Sequence, residues 1–162
     1  MSDAVKYIQP PNNLRKKQID AGVALSVNLA MLDAAERGIA EARGAFLLSV
    51  GDDLAKLTSH TEQALADKPN RAAHVEALYM KSSELKGQGG SFGYPLMTTI
   101  GSQLCRFIET AGNDLSDAQM GVVKLHVETL RLVIQQKMEG EGGATGQKLL
   151  TGLSLAIKKV SG

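Results

Sequence analysis

The chain has 162 residues, enough for one domain with its own core, and its 43% hydrophobic and 22% charged residues are the ordinary balance of a globular protein. A formal net charge of +1 gives no general pull toward nucleic acid or an acidic membrane, and 4% aromatic content without Trp does not suit modules that stack bases. A single cysteine, Cys105, excludes an intrachain disulfide and any Cys-rich metal cluster, and no apolar run is long enough to span a bilayer.

The first residues, Met1-Ser2-Asp3-Ala4-Val5-Lys6, carry no signal-peptide stretch, so the cytoplasm is the expected compartment. Pro10-Pro11-Asn12-Asn13 stops one segment and offers caps for a helix starting near Asn13. Lys16-Lys17 reads as a solvated pair. Gly22, Gly38 and Gly44 leave open whether residues 13–44 form one long helix or two. The apolar content here (Val23, Leu25, Val27, Leu29, Leu32) exceeds what one bundle face needs and suggests a homodimer.

A stronger helix is expected from about Ala45 to Ala66, with Leu47, Val50, Leu54, Leu57, Thr61 and Leu65 at helical spacing. Asp67-Lys68-Pro69-Asn70 ends it, and Asn70 should cap the next helix from Arg71. That helix places Val75, Leu78, Tyr79, Ser82 and Leu85 on one face and runs into Gly87-Gln88-Gly89-Gly90. Pro95 suits the first turn of a following helix with Leu96, Ile100, Leu104, Phe107 and Ile108 inward. Cys105 falls off that apolar side and reads as a semi-exposed thiol. Ser116 should cap a helix reaching about Met138, and a last helix covers about Thr145–Val160. There is no strand alternation, so the fold class is all-α, a single domain over 1–162 with short, antiparallel connections. Gly140–Gly146 repeats the Gly-x-Gly-Gly-x-x-Gly spacing of Gly87–Gly93, which reads as two similar helix ends rather than a duplication. Gly140–Lys148 lacks the spacing of a P-loop.

Ser83, Gly87 and Gly90 lie at i, i+4 and i+7, one helical stripe away from the core face. Without side chains at Gly87 and Gly90, the surface beside Ser83 is a notch that another protein could approach closely. Lys86 can place a point charge beside it. Each helical glycine costs about 0.8–1 kcal/mol against alanine, so Gly87, Gly89 and Gly90 together cost about 2–3 kcal/mol. Gly89-Gly90 reads as a left-handed helix end, and Gly87 as serving the surface.

The segment Ser83-Glu84-Leu85-Lys86-Gly87, followed by Gln88-Gly89-Gly90-Ser91-Phe92-Gly93-Tyr94-Pro95, resembles the core of a histidine phosphotransfer (HPt) domain, particularly an alphaproteobacterial subgroup. The resemblance covers residues 78–108. It implies an HPt-like four-helix bundle (core about 45–140) with an N-terminal helical extension (about 12–44) and a C-terminal helix (about 145–160). It implies a two-component phosphorelay role, with a response-regulator receiver domain or a histidine kinase as partner. Ser83 stands where the family carries its phosphoryl-accepting histidine, with Lys86 and Gly87 matching the flanking pattern. A serine phosphoester is too stable to pass its phosphoryl group back to aspartate, and Glu84 points to another face, leaving Ser83 without a base.

The expectation is therefore no enzymatic activity, no cofactor, no metal site and no catalytic residue, but a partner-binding surface of Ser83, Lys86, Gly87 and Gly90. The alternatives are active transfer, through a substitute histidine or because Ser83 is an introduced change, and a purely structural oligomerisation bundle. Of the three histidines, His126 sits mid-face among Val122, Val123, Leu130 and Val133 and reads as a core residue. His60 and His74 lack the Leu-Lys-Gly that follows Ser83, and the three histidines, scattered over separate helices without matched carboxylate spacing, look like a poor metal site.

Overall fold

A computed structural model describes residues 29–161. The helix start near Asn13, the Lys16-Lys17 pair, and Val23, Leu25 and Val27 lie outside the described residues. All regular structure described is helical: α1 (Leu29–Ala66), α2 (Arg71–Gly89), α3 (Pro95–Ala111), α4 (Asp117–Gln135) and α5 (Gly143–Ser161). The chain falls into two compact units, Met1–Ala40 and Glu41–Gly162. In the described part of the first, Arg37 Nε donates to the Asp33 carbonyl at 3.3 Å, and Met31 and Ile39 are exposed.

Helix α1 passes through Gly38, Gly44 and Gly51 without a break. From Phe46 onward, burial of Phe46, Val50, Leu54, Leu57 and Ala64 outweighs the glycine cost. The deep row is shifted slightly from the expected one, because Leu47 and Leu65 are only half-buried. Helix α2 buries Val75, Leu78, Ser82 and Leu85 as its periodicity predicts, but Tyr79, expected on the same face, is only half-buried because its hydroxyl reaches out to Glu109. Helix α3 buries Leu96, Ile100, Leu104, Phe107 and Ile108, and α4 buries Met120, Val123, Val127, Leu130 and Val133. Leu153 carries α5 into the same core.

Helices α1 and α2 run antiparallel. Asp53 pairs with Lys81 at 3.2 Å, His60 faces His74, and Ala64 accepts from Arg71 at 2.9 Å. The turn between them is a short 3-10 segment, Lys68–Asn70. Asn70 does not cap α2 with its side chain; its Nδ2 donates to Asp67 Oδ2 at 2.8 Å instead. The work of closing this corner falls to Arg71. Its guanidinium, nearly fully buried, donates to the Ala64 carbonyl at 2.9 Å, the Leu115 carbonyl at 2.6 Å and Asp117 Oδ1 at 2.6 Å. It thus ties the end of α1, the start of α2 and the start of α4. Lys68 and then Arg71 hold the Asp117 carboxyl below its ordinary range. Ser116 caps α4 in a complete capping box with Gln119.

The glycine-rich turns differ from their expected form. Gly89 and Gly90 are right-handed (φ −53° and −62°), and the left-handed residue that ends the α2 excursion is Gly93 (φ 87°). In the second turn Gly140, Gly142 and Gly143 are left-handed, and Gly146 is helical within α5. Matched positions in the two spacings therefore adopt opposite conformations, so the shared pattern is not a structural repeat. The turns instead meet: Gly140 N donates to the Gly93 carbonyl at 2.8 Å, and Leu96 N to the Gly140 carbonyl at 3.3 Å. Helix α4 stops at Gln135, short of Met138, because Lys137 turns left-handed (φ 49°). Phe92 stacks on Phe46 with ring centroids 4.3 Å apart, locking the first turn onto α1.

Replacing Arg71 with Met should lower the unfolding free energy by about 2–4 kcal/mol, because buried carbonyls lose their donor. Lys68→Ala, on the exposed side of Asp117, should change it little. Urea denaturation of both variants measures the contrast.

Candidate functional site

The stripe predicted from spacing lies on the outer side of α2. Ser83 and Lys86 are half-buried, Gly87 is exposed within the last turn of the helix, and Gly90 is exposed in the 3-10 turn that follows. Tyr79, one helical turn before Ser83, extends the same side. Its hydroxyl donates to Glu109 Oε1 of α3 at 2.7 Å, and that hydrogen bond to a carboxylate raises the phenol above its ordinary pKa. No hydrogen bond joins Ser83 Oγ to a carboxylate or imidazole among the described residues. Glu84, the neighbouring acid, is engaged on the α1 side by Lys81 at 2.5 Å. Ser83 therefore has no general base among the described residues.

What positions this surface is the close passage of α2 over α3. A methyl group on Gly89 would stand 2.9 Å from the Tyr94 carbonyl oxygen and 3.0 Å from Thr98 Oγ1. One on Gly101 would meet Lys86 Cβ at 3.2 Å. Thr98 Oγ1 donates to the Lys86 carbonyl at 3.0 Å, pinning the backbone that carries the lysine. Gly87, in contrast, has nothing within 4 Å of its missing Cβ. The three glycines thus separate by role: Gly87 leaves open surface, Gly89 permits helix contact, and Gly90 continues the turn.

Lys86 makes no ion pair with any carboxylate among the described residues. It borders a groove of about 390 Å³ shared with α3, where Thr99 and Ser102 supply hydroxyls, Arg106 a second cation and Glu109 a carboxylate already engaged by Tyr79. Cys105 also lines it, but only 3% of the residue is exposed, which corrects the semi-exposed thiol read from the sequence. The helical face that α3 turns to α2 buries it as well as the apolar row. Burial raises the thiol's pKa, the Lys86 charge opposing in part, so Cys105 is a poor nucleophile.

The histidines stand elsewhere. His126 is fully buried, with Nδ1 bonded to the Val122 carbonyl at 2.8 Å, so its ring is closed to another protein. His74 lies nine residues before Ser83 along α2, about 13 Å along the axis. Ser83, Lys86 and Gly87 lie within about one turn of one another on α2, with Gly90 in the 3-10 turn beyond it; Tyr79, Gly101 and Arg106 border this surface, and His74 and His126 lie away from it. Gly101 was signalled in the sequence only as a glycine within a helical pattern, and Arg106 only as a charge off the apolar face.

Among the described residues no group of three or more His, Cys, Asp or Glu could hold a metal ion, and no helix is long and apolar enough to cross a membrane. Comparison with family models, curated proteins and solved structures returns no match.

Two measurements probe this geometry. Gly87→Ala should raise stability by about 0.5–1 kcal/mol, through helix propensity, whereas Gly89→Ala should lower it by about 1–3 kcal/mol, through overlap with the Tyr94 carbonyl. Burial holds His126 below its ordinary pKa, with the Val122 hydrogen bond opposing. The unfolded chain takes up a proton near pH ~6.5 that the folded chain refuses. Stability should thus be full above that pH and fall as pH drops toward the folded value. His126→Leu should flatten this slope in denaturant titrations between pH 7 and 5 (about the range spanning the free imidazole pKa).

Proposed function

We propose that this chain is a phosphorelay signalling protein of HPt type that binds a receiver domain or a histidine kinase without carrying phosphate. Helices α1 to α4 would supply the HPt-like four-helix bundle, with α5 added. The observation that carries the reading is the surroundings of Ser83: half-exposed on α2, one turn from an unpaired Lys86 and the bare backbone at Gly87, with no base in reach. A partner's acidic phosphorylation site could meet Lys86 as a point charge, and the absence of side chains at Gly87 and Gly90 would let its loops come close. The Ser83 hydroxyl cannot form the labile phosphoramidate on which relay depends, so the complex would act as a competitor or adaptor.

The test is binding of the full chain to receiver domains from the same genome, with a phosphorylated receiver included. At least one receiver should bind, Lys86→Ala should weaken the complex about tenfold, and Gly87→Arg should abolish it while the fold is kept. Native protein should acquire no acid-labile phosphoryl group, whereas Ser83→His should acquire one. Acid-labile label on the native chain would establish active transfer, and binding indifferent to both surface variants would leave a purely structural bundle.

A further inference from the structure

The helical hairpin of α1 and α2 brings together two side chains that the proposed function does not use. His60 of α1 and His74 of α2 face each other with ring centroids 6.0 Å apart and planes inclined by 39°. His60 Nδ1 is buried and has no hydrogen-bond partner among the described residues, which is costly for an imidazole unless something takes its lone pair or proton. We propose that His60 and His74 form a two-histidine site for a divalent transition-metal ion of the zinc class, which clips α1 to α2.

Three observations support it. Metal–nitrogen bonds of about 2.0–2.1 Å, with the ring's own radius added, put two imidazoles on one ion about 5–6 Å apart between centroids. The observed 6.0 Å lies at the upper end of that range. The backbones are held at this separation by contacts on both sides of the pair: Asp53 with Lys81 at 3.2 Å, and Arg71 with the Ala64 carbonyl at 2.9 Å. The site is therefore spaced before any ion arrives, which reduces the ordering cost of binding. The nearest strong cation along α2, Arg71, has its charge met by Asp117 at 2.6 Å, which limits repulsion of an incoming ion. Imidazole nitrogen suits zinc, copper and nickel rather than calcium or magnesium. Two protein ligands leave the remaining positions of a tetrahedral ion to water or to a donor from a bound partner.

The full chain, stripped with a chelator, is titrated with Zn²⁺ by calorimetry while the histidine ring signals are followed by NMR. The expected result is saturable one-to-one binding in which the His60 and His74 signals move and the His126 signals stay. His60→Gln and His74→Gln should each weaken binding by at least about tenfold. The ring signals of the native chain decide the matter even if a variant fails to fold. No saturable binding, movement of neither ring or of only one, or affinity that survives both substitutions would overturn the site.

Discussion

The close passage of α2 over α3 is the constraint on which the rest of this structure depends. Two positions, Gly89 and Gly101, bring the helices into close contact: a methyl group on Gly89 would overlap the Tyr94 carbonyl, and one on Gly101 would sit tightly against Lys86. Because interiors are packed as tightly as organic crystals, a displacement of one helix from the other cannot be absorbed locally. It would carry Lys86 away from the groove it shares with α3, pull Thr98 Oγ1 from the Lys86 carbonyl, and disturb Leu85 and Ile100 in the core. The helix propensity lost at these glycines, about 1 kcal/mol each, is the cost of a contact that sets the surface geometry.

The remaining order comes from polar groups that bridge distant parts of the chain. Arg71 joins three helix ends at one corner, two of its acceptors being the Ala64 carbonyl in the last turn of α1, where helix carbonyls lack intrahelical partners, and the Leu115 carbonyl just before α4. At the opposite end, the two glycine-rich turns exchange backbone hydrogen bonds between Gly93, Gly140 and Leu96. Phe92 stacks over Phe46 at the same end. The Ser83 surface sits between these two anchored ends, on a helix whose inner side is fully buried. The helix that carries it is thus held at both ends.

Within that frame the chemistry of the surface is limited by what stands beside each atom. A hydroxyl without a base is inert, a buried thiol with a raised pKa is inert, and His126 is sealed in the core. The unpaired Lys86 and exposed Arg106 remain as charges that a partner could meet. Under the proposed function, these two cations are what an acidic partner surface would meet. The His60–His74 pair is separate from it in space and chemistry, and lies near the corner that Arg71 closes.

Much of the fold was legible in the sequence because helix signals are local. Hydrophobic spacing placed the inner faces of α3 and α4 and, Tyr79 excepted, of α2; Pro95 and Ser116 marked helix starts, and the i, i+4 rule put Ser83 and Gly87 one turn apart on α2. Each of these depends on residues within a turn or two of one another. Only the tertiary structure decided the rest. It buried Cys105, because the α2–α3 crossing covers a face that periodicity alone leaves open. It moved the left-handed turn from Gly89 or Gly90 to Gly93, since Gly89 is needed for helix contact instead. It gave Arg71 a role that Asn70 seemed to hold, and it brought His60 and His74 face to face. Those outcomes depend on the register between helices, and no pattern within a single helix encodes how two of them are aligned.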